Sequence, residues 1–316
     1  MQQHLLHTPK LIGGILFILM SLGFSACEKT TEADCPEACA SSNLQHVKRV
    51  LLIGIDGCRS DALQAANTPN IDKLIANSRY SYTLDRGNTD TWSGAGWSTM
   101  LTGVWPAKHG VKDDLYVGKN YGAYPHFLCR VKEASDCYKT ASIVHYAAIN
   151  DEIATPCNAD ALRDYDEDKR VKEAVTNYLN DCDLDVIFTH FDDVDHAGHS
   201  RGFHPSIPEY IDAIEQVDTY LEPILEAVYE REATNNEDWL IIVSTDHGGT
   251  IEGTHGDQNN NVEATRVFGI FRTKNTVNPG GLRYSPELVD IVPTIFNHLG
   301  IPINNTWNLD GVGVAL

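Results

Sequence analysis

Positive charge is scarce in this sequence. Its 316 residues include 24 Lys and Arg against 44 Asp and Glu, which gives a formal net charge of −20 at pH 7. Proteins that bind nucleic acid usually carry a basic patch, so we expect no nucleic-acid-binding surface. The excess of carboxylates either serves solubility or is balanced in part by bound metal ions.

The sequence also lacks the marks of several other protein classes. It has no internal repeat and no low-complexity block, and no linker divides residues 47–316, which we predict to form a single domain. Its eight cysteines do not show the four-cysteine spacing of a structural zinc site. Because 42% of the residues are hydrophobic, the chain has enough apolar mass for a sizeable core.

The N-terminus has the layout of a signal peptide. Lys10 precedes an apolar run over residues 11–20, which is short for a permanent transmembrane helix. Two small residues then stand directly before Cys27, and this segment resembles the cleavage site of bacterial lipoproteins. We therefore predict a signal peptide over residues 1–26 and lipidation of Cys27. The alternative is an ordinary cleaved signal.

Residues 27–46 are polar and acidic, and we predict that they form a tether. With a lipidated N-terminus, this tether indicates a protein anchored to the bacterial cell envelope, on the periplasmic face or at the cell surface. Contact with the membrane would be through the lipid alone. The sequence contains nothing that predicts an oligomeric state.

The number of cysteines fits an oxidising compartment. With Cys27 set aside, seven remain, so at least one of them is unpaired. Cys58 directly follows Asp56-Gly57 and is our candidate for the free thiol. Position along the chain suggests three pairings. Cys129 and Cys137 are close in sequence, Cys157 and Cys182 bracket a helical stretch, and Cys35 and Cys39 both lie in the tether.

Five short apolar runs predict buried strands. They are continuously apolar rather than alternating, as expected of strands covered on both faces in a parallel sheet. Segments with apolar residues at helical spacing lie between them. This alternation predicts an α/β fold with three layers, a mostly parallel central sheet with helices on both faces. The predicted strands are 49–55, 140–145, 185–191, 239–245 and 266–271, and the predicted helices are 70–78, 208–231 and 286–299.

Acidic and imidazole side chains follow several of these strands. In α/β sheets, ligands bind beyond the carboxyl ends of the strands. Zinc prefers imidazole nitrogen and carboxylate oxygen, and two such ions need about six protein ligands. We therefore predict a metal centre at this edge of the sheet. The candidate ligands are Asp56, Asp195, His199, Asp246, His247 and His255.

Some of these residues have a second interpretation. Asp56 is followed by glycine, and Asp246-His247 by two glycines, so each is also typical of a strand-to-loop turn. Histidines outside the candidate set are expected to be structural or exposed. They are His109, His145, His190 and His204.

The acidic string 192–199 contains two equivalent pairs. Asp192 with His196 and Asp195 with His199 are both spaced i, i+4, and either pair is able to chelate from one helical turn. Spacing alone does not choose between them.

Ser93 is the candidate nucleophile. It begins a predicted helix that ends before Gly103, and a helix N-terminus attracts anions through its free N–H groups. A hydroxyl needs activation to attack, which metal coordination can provide. The alternative is that Ser93 is only an N-cap. Thr91 and Ser98 are weaker candidates, and Trp97 either packs in the core or lines the leaving-group side.

Six motifs in this order resemble the alkaline phosphatase superfamily, and most of all its type I phosphodiesterase/nucleotide pyrophosphatase branch. The motifs are Ile-Gly-Ile-Asp56-Gly, Ser93 with Thr102-Gly103, Pro106 with His109-Gly110, Asp195-His196-Ala-Gly-His199, Asp246-His247-Gly248 and residues 290–300. The likeness covers about residues 47–312.

The resemblance implies two zinc ions at the edge of a mostly parallel sheet. It also favours Asp195 with His199 over the competing pair. One ion would be held by Asp195, His199 and His255, and the other by Asp56, Asp246 and His247, next to Ser93 as nucleophile.

The nucleophile region departs from that branch. Ser93 stands where Thr is usual, and Gly96 stands where an Asn usually donates to a phosphate oxygen. Ala95 and Trp97 replace the Pro and Arg of the motif that sulfatases modify. We predict a hydrolase of small phosphate esters, of the phosphodiesterase type. The alternatives are a phosphomonoesterase or sulfatase-like hydrolase of the same superfamily, and a non-catalytic surface binding lipoprotein.

Overall fold

The computed structural model describes residues 48–316, apart from positions 88, 182–183 and 259. The predicted signal peptide, the Cys27 lipidation site and the tether lie outside the described residues, as do Cys35, Cys39 and Cys182. All described residues belong to one compact unit. Among them, no helix has both the length and the apolar character that a membrane span requires.

One sheet runs through the described residues. Its eight strands are β1 (Lys48–Ile55), β2 (Arg79–Leu84), β3 (Thr140–Val144), β4 (Ala161–Asp164), β5 (Val186–Phe191), β6 (Asp238–Ser244), β7 (Val267–Arg272) and β8 (Gly280–Gly281). Their order is β4-β3-β5-β1-β6-β7-β2-β8. The pairings from β4 through β6 are all parallel, whereas β7 is antiparallel to both β6 and β2. The mostly parallel sheet predicted from the sequence is therefore confirmed.

Helices cover both faces of this sheet, as the three-layer prediction requires. Side chains of β1 alternate between the two sides. Leu51 and Ile53 pack with the helices of one layer, and Val50 and Leu52 pack with those of the other. The helices are α1 (Ser60–Ala65), α2 (Pro69–Ile75), α3 (Ser93–Thr102), α4 (Pro106–His109), α5 (Phe127–Ala134), α6 (Asp168–Asp181), α7 (Asp193–Arg201), α8 (Pro208–Thr234) and α9 (Ile291–Leu299).

The two layers draw on different parts of the chain. Helices α1, α2, α6 and α8 supply buried residues to the first layer, including Val217 and Leu221 of the long helix α8. Helices α3, α5 and α9 supply the second, which includes Trp97 and Phe296. Helix α3, which begins with the nucleophile candidate Ser93, therefore belongs to the second layer.

Two of the predicted disulfide pairings are wrong. Cys129 on α5 is bonded to Cys157, which lies in a short helical turn 28 residues later. Cys129 therefore does not pair with Cys137, nor Cys157 with Cys182; Cys137 is itself disulfide-bonded. The prediction relied on position along the chain, whereas the packing of α5 against the turn decides the pairing. Cys58 is free, as predicted, and it is buried.

Candidate metal centre

Three adjacent strands carry the candidate ligands to one edge of the sheet. Strand β1 lies between β5 and β6 and is parallel to both, so the three carboxyl ends meet. Asp56 follows β1, and Asp246-His247 follows β6 after one further residue. Helix α7, which follows β5, carries Asp195 and its i+4 neighbour. A loop after β6 adds His255.

Asp56, Asp246 and His247 form the first ligand group. All three side chains are buried, and one donor atom from each lies within 4.8 Å of the others. The His247 Nε2 atom lies 3.2 Å from Asp56 Oδ1 and 3.4 Å from Asp246 Oδ2. The structure therefore brings together the three residues assigned to the nucleophile-side ion.

Asp195, His199 and His255 form the second ligand group. Asp195 Oδ2 lies 3.4 Å from His199 Nε2, and Asp195 Oδ1 lies 3.5 Å from His255 Nε2. The two histidine Nε2 atoms are 2.8 Å apart. The rings of His255 and His247 stack with centroids 3.9 Å apart, so the two groups are contiguous. Asp195 with His199, rather than Asp192 with His196, is the pair that faces His255.

The donor set fits divalent cations. One carboxylate oxygen of each acidic ligand is buried and accepts no well-aligned hydrogen bond: Asp56 Oδ1, Asp195 Oδ1 and Asp246 Oδ2. Buried carboxylate oxygens without a donor are costly unless they coordinate a metal or are paired. These three orphaned oxygens face imidazole nitrogens at 3.2–3.5 Å, and nitrogen with oxygen is the ligand set that zinc accepts.

The electrostatics of the site also favour bound cations. Burial and the charge of Asp56 raise the pKa of Asp246 to about 7, because several carboxylates converge without enough positive charge. Burial likewise raises the pKa of Asp195 well above its usual value. Burial, with the His247 and His199 imidazoles, lowers the pKa of His255. His255 is thus held in the neutral form that binds metal.

Two buried donors hold the outer oxygen of Asp56. Trp97 Nε1 donates to Asp56 Oδ2 at 2.8 Å, and His190 Nε2 lies 3.0 Å from the same oxygen. Trp97 crosses β1 at Gly54, where a Cβ atom would lie 2.3 Å from the indole ring. Trp97 therefore packs in the core, one of the two roles expected for it, and does not line the described cavity. Its indole N–H also contacts a candidate ligand.

His190 is a site residue that the sequence analysis missed. It is fully buried, and it stands on β5 directly beside Gly54 of β1. Burial lowers its pKa, but the hydrogen bond and charge of Asp56 outweigh this, so the pKa of His190 is raised. The available signal was its position two residues before Asp192, at the end of a strand predicted to be buried.

Ser93 lies against the first ligand group. It is the first residue of α3, and Trp92 rather than Ser93 is the N-cap. Ser93 Oγ is 3.1 Å from His247 Nε2, and the Gly94 N–H at the same helix end donates to Asp114 Oδ1 at 2.7 Å. The two other candidate nucleophiles have hydroxyls that already make hydrogen bonds. Thr91 donates to a backbone carbonyl, and buried Ser98 bonds to the Tyr121 hydroxyl.

The site opens into a cavity of about 420 Å³. Among the described residues, no Lys or Arg lines it. Arg59 is buried in contacts with Asp61 and backbone carbonyls, and Lys108 binds Asp310. The cavity is lined by Trp92, Ser93, Asp114, Tyr146, Asp192, Asp195, His196, His199, Gly253, Thr254 and His255.

Sequence comparison finds relatives that are longer than this chain. GPI ethanolamine phosphate transferase 3 of Schizosaccharomyces pombe is 28% identical over 168 residues, which is 52% of this chain and 17% of the relative. A 2,3-bisphosphoglycerate-independent phosphoglycerate mutase of Staphylococcus aureus strain Mu50 is 31% identical over 132 residues, which is 42% of this chain and 24% of the relative. The chain thus spans about a fifth of the length of these curated relatives.

Structure comparison finds the same fold in two solved proteins. Murine ectonucleotide pyrophosphatase/phosphodiesterase 5 superposes with a TM-score of 0.64 at 14% identity, covering 83% of this chain and 99% of the murine chain. The lipoteichoic acid synthase LtaP of Listeria monocytogenes superposes with a TM-score of 0.61 at 14% identity. The match covers 84% of this chain and 76% of the Listeria chain. Nucleotide pyrophosphatases/phosphodiesterases and these structural neighbours are phosphoryl- or sulfuryl-transfer enzymes. Members of the alkaline phosphatase superfamily use divalent metal ions.

The family assignment comes from the sequence itself. A profile of type I phosphodiesterases/nucleotide pyrophosphatases matches residues 50–268, a stretch that runs from β1 to β7 and contains every candidate ligand. The chain therefore belongs to the type I phosphodiesterase/nucleotide pyrophosphatase family of the alkaline phosphatase superfamily.

Proposed function

We propose that this protein hydrolyses phosphodiesters, with Ser93 as the nucleophile beside a two-metal centre. The observation that carries the proposal is the position of Ser93 Oγ, 3.1 Å from His247 Nε2. This places the hydroxyl at the N-terminus of α3 and against a ligand group in which one oxygen of each carboxylate lacks a donor. Asp56, Asp246 and His247 would hold one ion, and Asp195, His199 and His255 the other.

Zinc is the ion that this nitrogen-and-oxygen donor set favours, and when bound it would supply Lewis-acid stabilisation of negative charge. The chain supplies the remaining chemistry. Ser93 Oγ forms a bond to phosphorus as the bond to the leaving alcohol breaks, and the Ser93 proton leaves with that alcohol. Water then cleaves the phosphoserine and releases a phosphate monoester. The positive end of the α3 helix dipole favours the anionic phosphoryl group.

The cavity favours diesters over monoesters. A monoester carries an additional negative charge, which enzymes usually neutralise with Arg or Lys. Such side chains do not line the described cavity, whereas the Asp114 carboxylate does. Asp114 is held at the Gly94 N–H, directly beside the nucleophile. A dianionic substrate would therefore be repelled more strongly than a monoanionic one.

The nucleophile is tested with Ser93→Ala. We expect kcat/KM for bis-p-nitrophenyl phosphate to fall about a thousandfold or more, because the covalent step is lost. Metal content should be unchanged. Ser98→Ala is the matched control, since Ser98 lies on the same helix but binds Gly94 O and Tyr121. An active Ser93→Ala enzyme would refute the nucleophile assignment.

The ester class is tested with a substrate panel on the wild-type protein. We expect bis-p-nitrophenyl phosphate to be cleaved faster than p-nitrophenyl phosphate, and p-nitrophenyl sulfate to be cleaved slowest. A preference for p-nitrophenyl phosphate would instead identify a phosphomonoesterase, and a preference for the sulfate would identify a sulfatase-like hydrolase. Turnover of none of the three would support a non-catalytic binding protein.

A phosphoryl transferase is a second candidate. The relatives named as ethanolamine phosphate transferases favour it. Transfer and hydrolysis use the same nucleophile, and they differ in whether an alcohol or water takes the phosphoryl group from the serine in the second step. Adding glycerol as an acceptor distinguishes the two activities. With bis-p-nitrophenyl phosphate as donor, transfer to glycerol gives glyceryl p-nitrophenyl phosphate, whereas transfer to water gives p-nitrophenyl phosphate. A glyceryl diester that grows at the expense of p-nitrophenyl phosphate would favour the transferase.

A further inference from the structure

Asp192 and His196, the pair that the metal centre does not use, belong to a second histidine cluster. His196 lies on α7, and His145 directly follows β3. Their rings are perpendicular, with centroids 5.3 Å apart. One ring nitrogen of each histidine and one carboxylate oxygen of Asp193 lie within 4.8 Å of one another. This spacing suits three ligands of a single ion.

A buried carboxylate fixes the geometry of this cluster. Asp168, at the start of α6, is fully buried, and its Oδ1 lies 2.8 Å from His145 Nδ1. The same side chain accepts the backbone N–H groups of Asp192 at 2.8 Å and Asp193 at 3.0 Å. One carboxylate therefore holds both His145 and the turn that carries Asp193.

This arrangement is the one that metal-binding histidines usually have. A carboxylate at Nδ1 accepts the ring hydrogen, so in the neutral imidazole the lone pair is on Nε2. A second carboxylate, Asp192, lies 3.2 Å from His196 Nε2, and Asp193 lies 3.8 Å from His145 Nδ1. Three carboxylates thus surround two imidazoles, a local excess of negative charge that a cation would balance.

We propose that His145, Asp193 and His196 bind a third divalent transition-metal ion, with zinc as the preferred class. Two nitrogens and one oxygen leave an open coordination position, as in catalytic rather than structural zinc sites. His196 also lines the catalytic cavity, so this position is accessible from the cavity. It would accept a second anionic group of a substrate, beyond the phosphoryl group that reacts. Binding of this ion does not depend on the proposed hydrolysis.

Metal content tests the proposal. The full chain is stripped with a chelator, dialysed against micromolar Zn²⁺ and analysed by mass spectrometry of metals. We expect about three Zn²⁺ per wild-type chain and about two for His145→Gln, which keeps a donor for Asp168. His204→Gln is the control, at a histidine outside every ligand cluster, and should keep the wild-type content. Equal metal content in wild type and His145→Gln would overturn the proposal.

A second measurement separates this site from the catalytic centre. Asp246→Asn combined with His255→Gln removes ligands of both proposed catalytic ions, and Co²⁺ is then the spectroscopic probe. We expect a Co²⁺ absorption band with nitrogen ligation that disappears when His145→Gln is added. If the proposed catalytic centre binds no metal, the metal analysis described above would give one ion per wild-type chain and none for His145→Gln. A band that survives His145→Gln, or binding only at millimolar metal, would overturn the third site.

Discussion

At the scale of single residues, the two oxygens of Asp56 have different surroundings. Oδ2 is held by Trp97 and His190, whereas Oδ1 faces His247 and accepts no aligned hydrogen bond. Burial raises the pKa of Asp56, but the imidazoles of His190 and His247 outweigh it and keep the pKa well below its usual value. Asp56 is thus an ionised carboxylate with one oxygen directed towards the candidate ion.

Trp97→Phe tests this arrangement. Without the indole N–H, Asp56 Oδ2 keeps only its contact with His190, so the carboxylate is held less firmly. We expect metal affinity to fall roughly tenfold to hundredfold, as for other residues that orient ligands. Equilibrium dialysis against Zn²⁺ measures the change.

Trp239→Phe is the matched control for this experiment. It also removes a buried indole donor, here to Glu237 Oε2 at 2.7 Å, but on the far end of β6 from the ligands. It should lower stability without changing metal affinity. Equal loss of affinity in both variants would mean that Trp97 acts only through packing.

At the scale of elements, helix α5 begins at an unusual N-cap. The Nδ1 atom of His126 accepts the Leu128 N–H at 3.0 Å, and the ring stacks on Phe127. Burial lowers the pKa of His126 to about 3, so the cap is a neutral imidazole. The unfolded chain binds a proton near pH 6.5. Stability from this group is therefore complete above that pH and is lost as the pH falls towards 3.

His126→Asn removes this acid sensitivity while keeping a cap, because Asn is a good N-cap residue. Between pH 6 and 4, we expect the unfolding free energy of this variant to fall less steeply with decreasing pH than that of the wild type. The two slopes should differ by about 1.4 kcal/mol per pH unit, the contribution of one proton. Urea unfolding at several pH values measures this slope. His204→Asn, at a partly exposed histidine, should keep the wild-type slope. An unchanged slope in His126→Asn would show that the cap is not neutral in the fold.

The elements also show how far the sequence predicted the fold. The runs that became β1, β5 and β6 were predicted because a strand buried on both faces is continuously apolar. The same pattern did not reveal that β7 is antiparallel, since hydrophobicity carries no direction. Strands β2, β4 and β8 were missed because they lie towards the sheet edges, where short or partly exposed strands have weak patterns.

The site was predictable to a similar degree. Ligand types at strand ends identified Asp56 and Asp246, which the sheet brings together. The roles of Trp97, His190 and Asp168 depend on contacts between segments far apart in sequence, so spacing could not reveal them. The disulfide between Cys129 and Cys157 escaped prediction for the same reason.

At the scale of the whole molecule, a chain of net charge −20 concentrates several buried carboxylates at one sheet edge. Without metal, their mutual repulsion opposes folding. Ions that bind only the folded state stabilise it by mass action, by about 2.7 kcal/mol at a concentration one hundred times Kd.

Chelation should therefore lower the melting temperature. For a domain of this size, we expect a decrease of roughly 5–10 °C for each ion removed, measured by calorimetry with and without chelator. Readdition of Zn²⁺ should restore the transition, whereas an equal ionic strength of NaCl should not. A melting temperature insensitive to the chelator would contradict metal binding by these residues.

A free cysteine, Cys58, allows the opening and closing of this edge of the sheet to be measured. Cys58 lies two residues after Asp56, is fully buried, and donates its backbone N–H to Thr245, the residue before Asp246. Burial raises the pKa of the thiol, so a maleimide can react only while the two strand ends are transiently separated. The rate of alkylation thus reports how often these two strand ends separate. The decrease of this rate on addition of zinc would report how long the ends stay together when the ion is bound, without any engineered label.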